Sequence, residues 1–218
     1  MKHKFASFVL ISLFGLAFMS SVPAQESIAG VDHWDFDVYL NDKKVGKHSF
    51  TVSNLDGVKQ VRSEANFKYK ILFILAYQYE HSAAESWSDN CLTELDASTN
   101  ANGERLQFSG EQTSGGFVVD SGDHPTQLPE CVMTFAYWNA DFLGESQLLN
   151  PQTGEYVDVS VEEVGDEVLN VRGQAVEATR FKLTAYEVDL TLWYSPDREW
   201  LALESVAKGG HIIRYELA

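Results

Sequence analysis

The sequence predicts a mainly β fold: a single antiparallel, strongly curved sheet, a half-barrel or open barrel, of about ten strands with little helix. Three observations predict it. Apolar residues recur with period 2 in most segments, as in HWDFDVYL (33–40), where Trp34, Phe36, Val38 and Leu40 share one face. Turn signals rich in Asn, Asp and Gly break the chain at short intervals. No 3.6-residue periodicity lasts long enough for an amphipathic helix. A one-sided alternation belongs to antiparallel sheets, and ten strands strain a flat open sheet, so curling is expected.

The N-terminus stands apart from this pattern. Lys2 and Lys4 precede an apolar run, Phe5 to Met19, and Val22 and Ala24 occupy the −3 and −1 positions of a cleavage site before Gln25. Residues 1–24 read as a secretory signal peptide. The run is short for a spanning helix, which needs about 20 apolar residues. Residues 25–218 then form one exported, β-rich domain with no transmembrane span. Removing Lys2 and Lys4 from the 16 basic residues leaves 14 against 32 acidic, a formal charge of −18. Such a surface repels nucleic acid, which is discounted as a partner.

The elements follow in order. After 33–40, Asn41-Asp42-Lys43 turns into KVGKHSFTV (44–52), and NLDG (54–57) turns again. A long segment runs from Val58 to about Asp89. STNANG (98–103) is a hairpin connection into ERLQFSGEQ, and SGG (114–116) turns into FVVD. Residues 124–154 alternate poorly, hold three prolines and crowd Phe135, Tyr137, Trp138 and Phe142 together, which reads as irregular chain with one short helix. Strands resume with EYVDVSVEE, EVLNV, AVEATRFKLTA, EVDLTLWY, WLALESV and HIIRYEL. SPDR (195–198) places Pro196 at the second turn position, which proline favours.

One stretch, ILFILAY (71–77), is uncharged and apolar within FKYKILFILAYQYEHSAAESW (67–87). Taken as a single strand, its odd positions from Phe67 to Tyr79 form an apolar face. Its even positions are apolar only at Leu72, Ile74 and Ala76. That window needs a cover: the aromatic segment 135–142, an apolar ligand on a concave sheet face, or a partner surface. Seven residues cannot span a bilayer as a helix.

Catalytic motifs are absent. The sequence holds no GxSxG, no GxxxxGK[ST] and no GxGxxG. No HxH, HxxH or HExxH pattern supplies metal ligands. His81 and Glu85 lie roughly 13 Å apart if the segment is a strand, too far to share a proton. Asp35 and Asp37 share a face that points to water. No catalytic residue, metal or cofactor is assigned. Cys91 and Cys131 are the two cysteines, and in an exported chain they form a disulfide across a loop of about 40 residues, with free thiols or a metal pair as alternatives.

The order of signals HWDFDVYLNDKKVGKHSF, YQYEHSAAESWSDNCLTELDASTNANG, CVMTFAYWN, LLNPQTGEY, WYSPDREWLALES and IIRYEL resembles the exported proteins of domain-of-unknown-function family 6134. It is more distantly similar to the larger family 3108 of secreted β-rich proteins. The resemblance covers about residues 33–217 and implies a Gram-negative periplasmic protein with a curved sheet. Carriers in which a half-barrel shelters acyl chains have similar architectures, an analogy of fold alone. The family carries no catalytic residues to transfer.

The functional expectation is a non-enzymatic binder or carrier of an apolar ligand, a lipid or acyl chain. Leu72, Ile74, Ala76, Phe135, Tyr137, Trp138 and Phe142 are its candidate lining. A protein-interaction or scaffolding module of the cell envelope is the alternative, and a glycan- or lipid-modifying envelope enzyme the second.

Overall fold

The computed structural model describes residues 30–71, 74–122, 124–186, 188–207 and 210–218. The strands are β1 (Val31–Leu40), β2 (Lys43–Leu55), β3 (Val58–Ile71), β4 (Ile74–Ser88), β5 (Cys91–Ala101), β6 (Glu104–Thr113) and β7 (Gly116–Asp120). They continue with β8 (Thr126–Gln127), β9 (Gln147–Leu149), β10 (Tyr156–Val171), β11 (Gln174–Ala185), β12 (Val188–Tyr194), β13 (Trp200–Ala207) and β14 (His211–Leu217). Among the described residues the helix is one 3-10 turn, Ala140–Gly144, capped by the Asn139 side chain on the Asp141 amide.

All 14 strands lie in one sheet, in the order β8-β7-β6-β5-β4-β3-β2-β1-β14-β13-β12-β11-β10-β9. Every strand pair is antiparallel. The two edges, β8 and β9, do not pair with each other, so the sheet is open. The mainly β, antiparallel reading therefore holds, but the count of about ten strands does not. Two short strands, β8 and β9, are too brief to show a period. The stretch 67–87 is not one strand either: β3 and β4 pair back to back, with Ile71 opposite Ile74. In the other direction, EYVDVSVEE and EVLNV merge into β10 through a bulge at Glu163–Gly165, where Gly165 takes φ +130°.

The local chemistry explains which hairpins were visible. Asn41, Asp56-Gly57, Asp89-Asn90, Asn102-Gly103 and Arg172-Gly173 all hold positive φ in two-residue connections. Asn, Asp and Gly tolerate that backbone region best, which is why they mark such turns. Glycine is also demanded by close approach at Gly46, where a Cβ would sit 1.9 Å from the Asn66 carbonyl oxygen.

The sheet curls around a plug made of its own chain. Residues 128–149 leave β7, where Leu128 N–H donates to Phe117 O and Phe117 N–H to Pro129 O. They pass β5, where Leu92 N–H donates to Val132 O beside the Cys91–Cys131 disulfide, and reach β9 through a parallel bridge between Thr134 and Leu149. Tyr137 packs on Trp200 of β13 with ring centroids 5.1 Å apart, and the next residue, Trp138, packs on Trp87 of β4 at 5.6 Å. On a flat sheet β4 and β13, five strands apart, would be separated by about 24 Å at about 4.8 Å per strand. Two consecutive residues span about 3.8 Å, so the sheet must bend to bring Trp87 and Trp200 to them.

Phe36, Trp87, Phe117, Phe142, Leu148, Leu149, Leu183, Leu192 and Trp200 are almost wholly buried in this single core. Each such side chain contributes about 1.5–3 kcal/mol relative to exposure. Asp35 and Asp37 lie on the outer face, and Asp37 is gripped by Lys44 and Lys47.

Candidate functional site

Beyond the plug, the concave face changes character. The register places Phe36, His48, Ala65, His81 and Thr99 in one row across β1 to β5. The residues His48, Ala65, His81 and Thr99 are buried, and only the methyl group of Ala65 separates the two histidine positions. His48 Nε2 is 2.7 Å from the Ser63 hydroxyl, and its Nδ1 is 3.3 Å from the Tyr215 hydroxyl. The Thr99 hydroxyl donates to the Gln152 carbonyl at 3.0 Å, so its oxygen accepts from His81 Nδ1–H, also at 3.0 Å. His81 is thereby held as the Nδ1–H tautomer.

Both imidazoles are neutral. Burial pushes His48 down to about 3, with the neighbouring His81 adding to the effect. Burial pushes His81 down to about 4, against a raising contribution from the Ser98 backbone. Around them stands an aromatic wall. Phe67 stacks on Tyr79 at 5.3 Å and meets Tyr215 edge-on at 6.2 Å, and His48 lies 4.2 Å from Phe50. Burial raises the Tyr79 and Tyr215 phenols, and Tyr137 is near enough to raise both further. The wall is therefore aromatic, hydrogen-bonding and uncharged.

The β3–β4 hairpin extends past this wall. The last β2 partner of β3 is Gly46, opposite Phe67, and the last β5 partner of β4 is Ala101, opposite Tyr79. Tyr69–Ile71 and Ile74–Tyr77 pair only with each other, as a two-stranded ribbon. An isolated two-stranded ribbon is marginal in water, so its apolar sequence needs a neighbour. Of the proposed lining, Leu72 lies outside the described residues, and Ile74 and Ala76 are placed as β4 positions within the ribbon.

The other lining candidates belong to the plug. Phe135 and Phe142 are buried in the core, and Tyr137 and Trp138 are half-buried. Tyr137 lies 5.8 Å from Phe142 and 6.4 Å from Phe135. Lys59 sits over the Trp138 ring at 5.5 Å. These side chains fill the concave face at the Trp87–Trp200 end, and Tyr137 alone of the four reaches the aromatic wall. Cys91 and Cys131 are bonded as expected.

Three buried polar features escaped the sequence reading: the His48–Ser63 pair, the His81–Thr99 pair and Glu85. Glu85 accepts from Trp87 Nε1 at 2.9 Å and from the Thr134 hydroxyl at 3.2 Å, tying the plug to β4. Burial raises it to about 7, although both hydrogen bonds lower it. Parity was the available signal. His48 alternates in phase with Phe50 and Val52, Ser63 with Val61 and Ala65, and Glu85 with Ala83 and Trp87.

The Ser63–His48 pair lacks the features of a nucleophile and base. The partner of His48 Nδ1 is a phenol whose pKa is raised, not a carboxylate that could stabilise an imidazolium. A base near 3 gains little from taking the Ser63 proton. No group of three or more metal-ligating side chains occurs among the described residues, and no helix among them is long and apolar enough to cross a membrane.

The fold has a solved counterpart. A crystal structure described as a beta-barrel-like protein of domain of unknown function DUF1849 from Brucella abortus superposes with a TM-score of 0.59. It is 9% identical in sequence, and the match covers 85% of this chain and 94% of that one, a likeness of fold. No curated protein matches the chain. A family model described as Domain of unknown function (DUF6134) matches residues 36–218. The chain belongs to the DUF6134 family.

Proposed function

We propose that this protein is a non-enzymatic binder or carrier of an apolar ligand, a lipid or acyl chain, working in the periplasm after removal of residues 1–24. The observation that carries the reading is the β3–β4 ribbon. Its apolar sequence leaves the shelter of β2 and β5 beside a neutral aromatic wall. An acyl chain is the ligand such a surface suits, because aromatic and aliphatic contacts satisfy it and no buried charge must be neutralised. The proposed lining is Leu72, Ile74 and Ala76, with the wall of Phe67, Tyr79, Tyr215 and Tyr137 next to the β3–β4 ribbon. Phe135 and Phe142 pack on Tyr137 from the plug, and Trp138 packs on Trp87.

Native mass spectrometry of protein taken from the periplasm tests it, together with uptake of the lipophilic dye N-phenyl-1-naphthylamine. Copurified lipid and dye binding that Leu72→Asp removes are the expected results. A ligand-free protein that takes up no dye would overturn the reading. Capture of a protein by the same ribbon, lost in Leu72→Asp while dye binding persists, would favour the interaction-module alternative.

A further inference from the structure

A cleft lies on the outer face, away from the ribbon. The β10–β11 hairpin outruns its neighbour: Thr179, opposite Tyr194, is its last contact with β12. The bulge at Gly165 bends this overhanging arm, and its turn returns to the end of β14, where Arg172 Nε donates to the Ala218 carbonyl oxygen. Glu167 on the arm accepts from Trp193 Nε1 at 2.7 Å and pairs with Arg180. Between the arm and the outer face of β12, β13 and β14 is a cleft of about 770 Å³.

Its composition is specific. The register sets Trp193, Ala202 and Glu216 in one row across β12, β13 and β14, with Glu204 and Arg214 paired in the next. Ala202 leaves a gap beside the half-buried indole. Arg214 donates to Glu216 at 2.7 Å, which fixes a planar donor and a planar acceptor side by side. Asn170 and Arg172 face them from the arm, along with the apolar Leu169 and Val171.

We infer that this cleft binds a pyranose saccharide. An aliphatic sugar face stacks on the Trp193 ring, and adjacent hydroxyls pair with the planar Arg214, Glu216 and Asn170 groups, which offer both donors and acceptors. The competing chemistries fit worse. An anion meets Glu204 and Glu216, and a cation meets Arg172 and Arg214. An acyl chain strips water from all of these groups and pairs with none. The inference is independent of the apolar-ligand reading: Tyr215 borders both places, but Trp193, Ala202, Asn170, Arg214 and Glu216 lie on neither the ribbon nor the aromatic wall.

The test follows the Trp193 indole N–H by nitrogen-15 NMR while chitotetraose, and separately maltotetraose, is added to the full-length exported protein. A saturable shift with at least one of them, at a Kd of about 1 mM or tighter, is expected. Trp193→Ala, read through neighbouring backbone amides, and Ala202→Leu, which fills the floor but keeps the indole, should each weaken binding about tenfold or more. Thermal melts of both variants report that the fold is kept, and loss of binding in either folded variant is sufficient support. Absence of any shift with both saccharides overturns the inference. So does binding that survives in the folded variants, or a response to laurate alone.

Discussion

Ser63 hydroxyl and His48 Nε2 stand 2.7 Å apart inside the curled sheet, joining β3 to β2 through neutral groups. His48 shares a row with His81 and Thr99, and burial keeps both histidines uncharged. A row of this kind holds the aromatic wall in place without placing charge beside it.

The first consequence is a dependence on acid. The unfolded histidines titrate near 6.5, and the folded ones at about 3 and about 4. Between those values the unfolded chain binds more protons, so stability is full above 6.5 and falls as the pH drops through that window. Each histidine costs about 1.4 kcal/mol per pH unit there. Urea melts at pH 7 and pH 4.5 should show this loss, and His81→Gln should reduce it.

Glu85 acts in the opposite direction. Its carboxyl rises from 4.5 to about 7 on folding, so the folded state holds the extra proton between those values. Stability from this group is present below 4.5 and declines as pH rises toward 7, by on the order of 3 kcal/mol. Glu85→Gln keeps a neutral group opposite Trp87 and Thr134. It should therefore gain on the parent at pH 8 and lose that advantage at pH 5, in paired urea melts.

Gly46 and the disulfide test the packing. Gly46→Ala drives a methyl group into the Asn66 carbonyl and should cost about 1–3 kcal/mol or more in a thermal melt. Replacing Cys91 and Cys131 by serine opens a loop with a sequence separation of 40 residues. It should cost about 4 kcal/mol in the chain-entropy description, and the proteolysis of residues 128–149 should quicken.

The sequence disclosed these elements unevenly. Hairpins at Asn41, Gly57 and Gly103 were legible because their turns need residues that accept positive φ. Ile71 of β3 pairs with Ile74 of β4, and the sequence around them offers no Gly, Asn, Asp or Pro, so an apolar run concealed a hairpin and read as one strand. Gly165 read as a break, yet it bends β10 without ending it. The crowding of Phe135, Tyr137, Trp138 and Phe142 was legible as a special segment. That Tyr137 and Trp138 point to opposite sides of the core, one to Trp200 and one to Trp87, depends on contacts between distant strands and leaves no local pattern.

The central claim is that the β3–β4 ribbon and the neutral wall hold an apolar chain. The direct measurement is native mass spectrometry of the purified protein beside its Ile74→Asp variant, with urea melts confirming that both are folded. The account predicts lipid-mass adducts on the parent and their loss from the variant. A parent without adducts, or a folded variant that carries them equally, would contradict it.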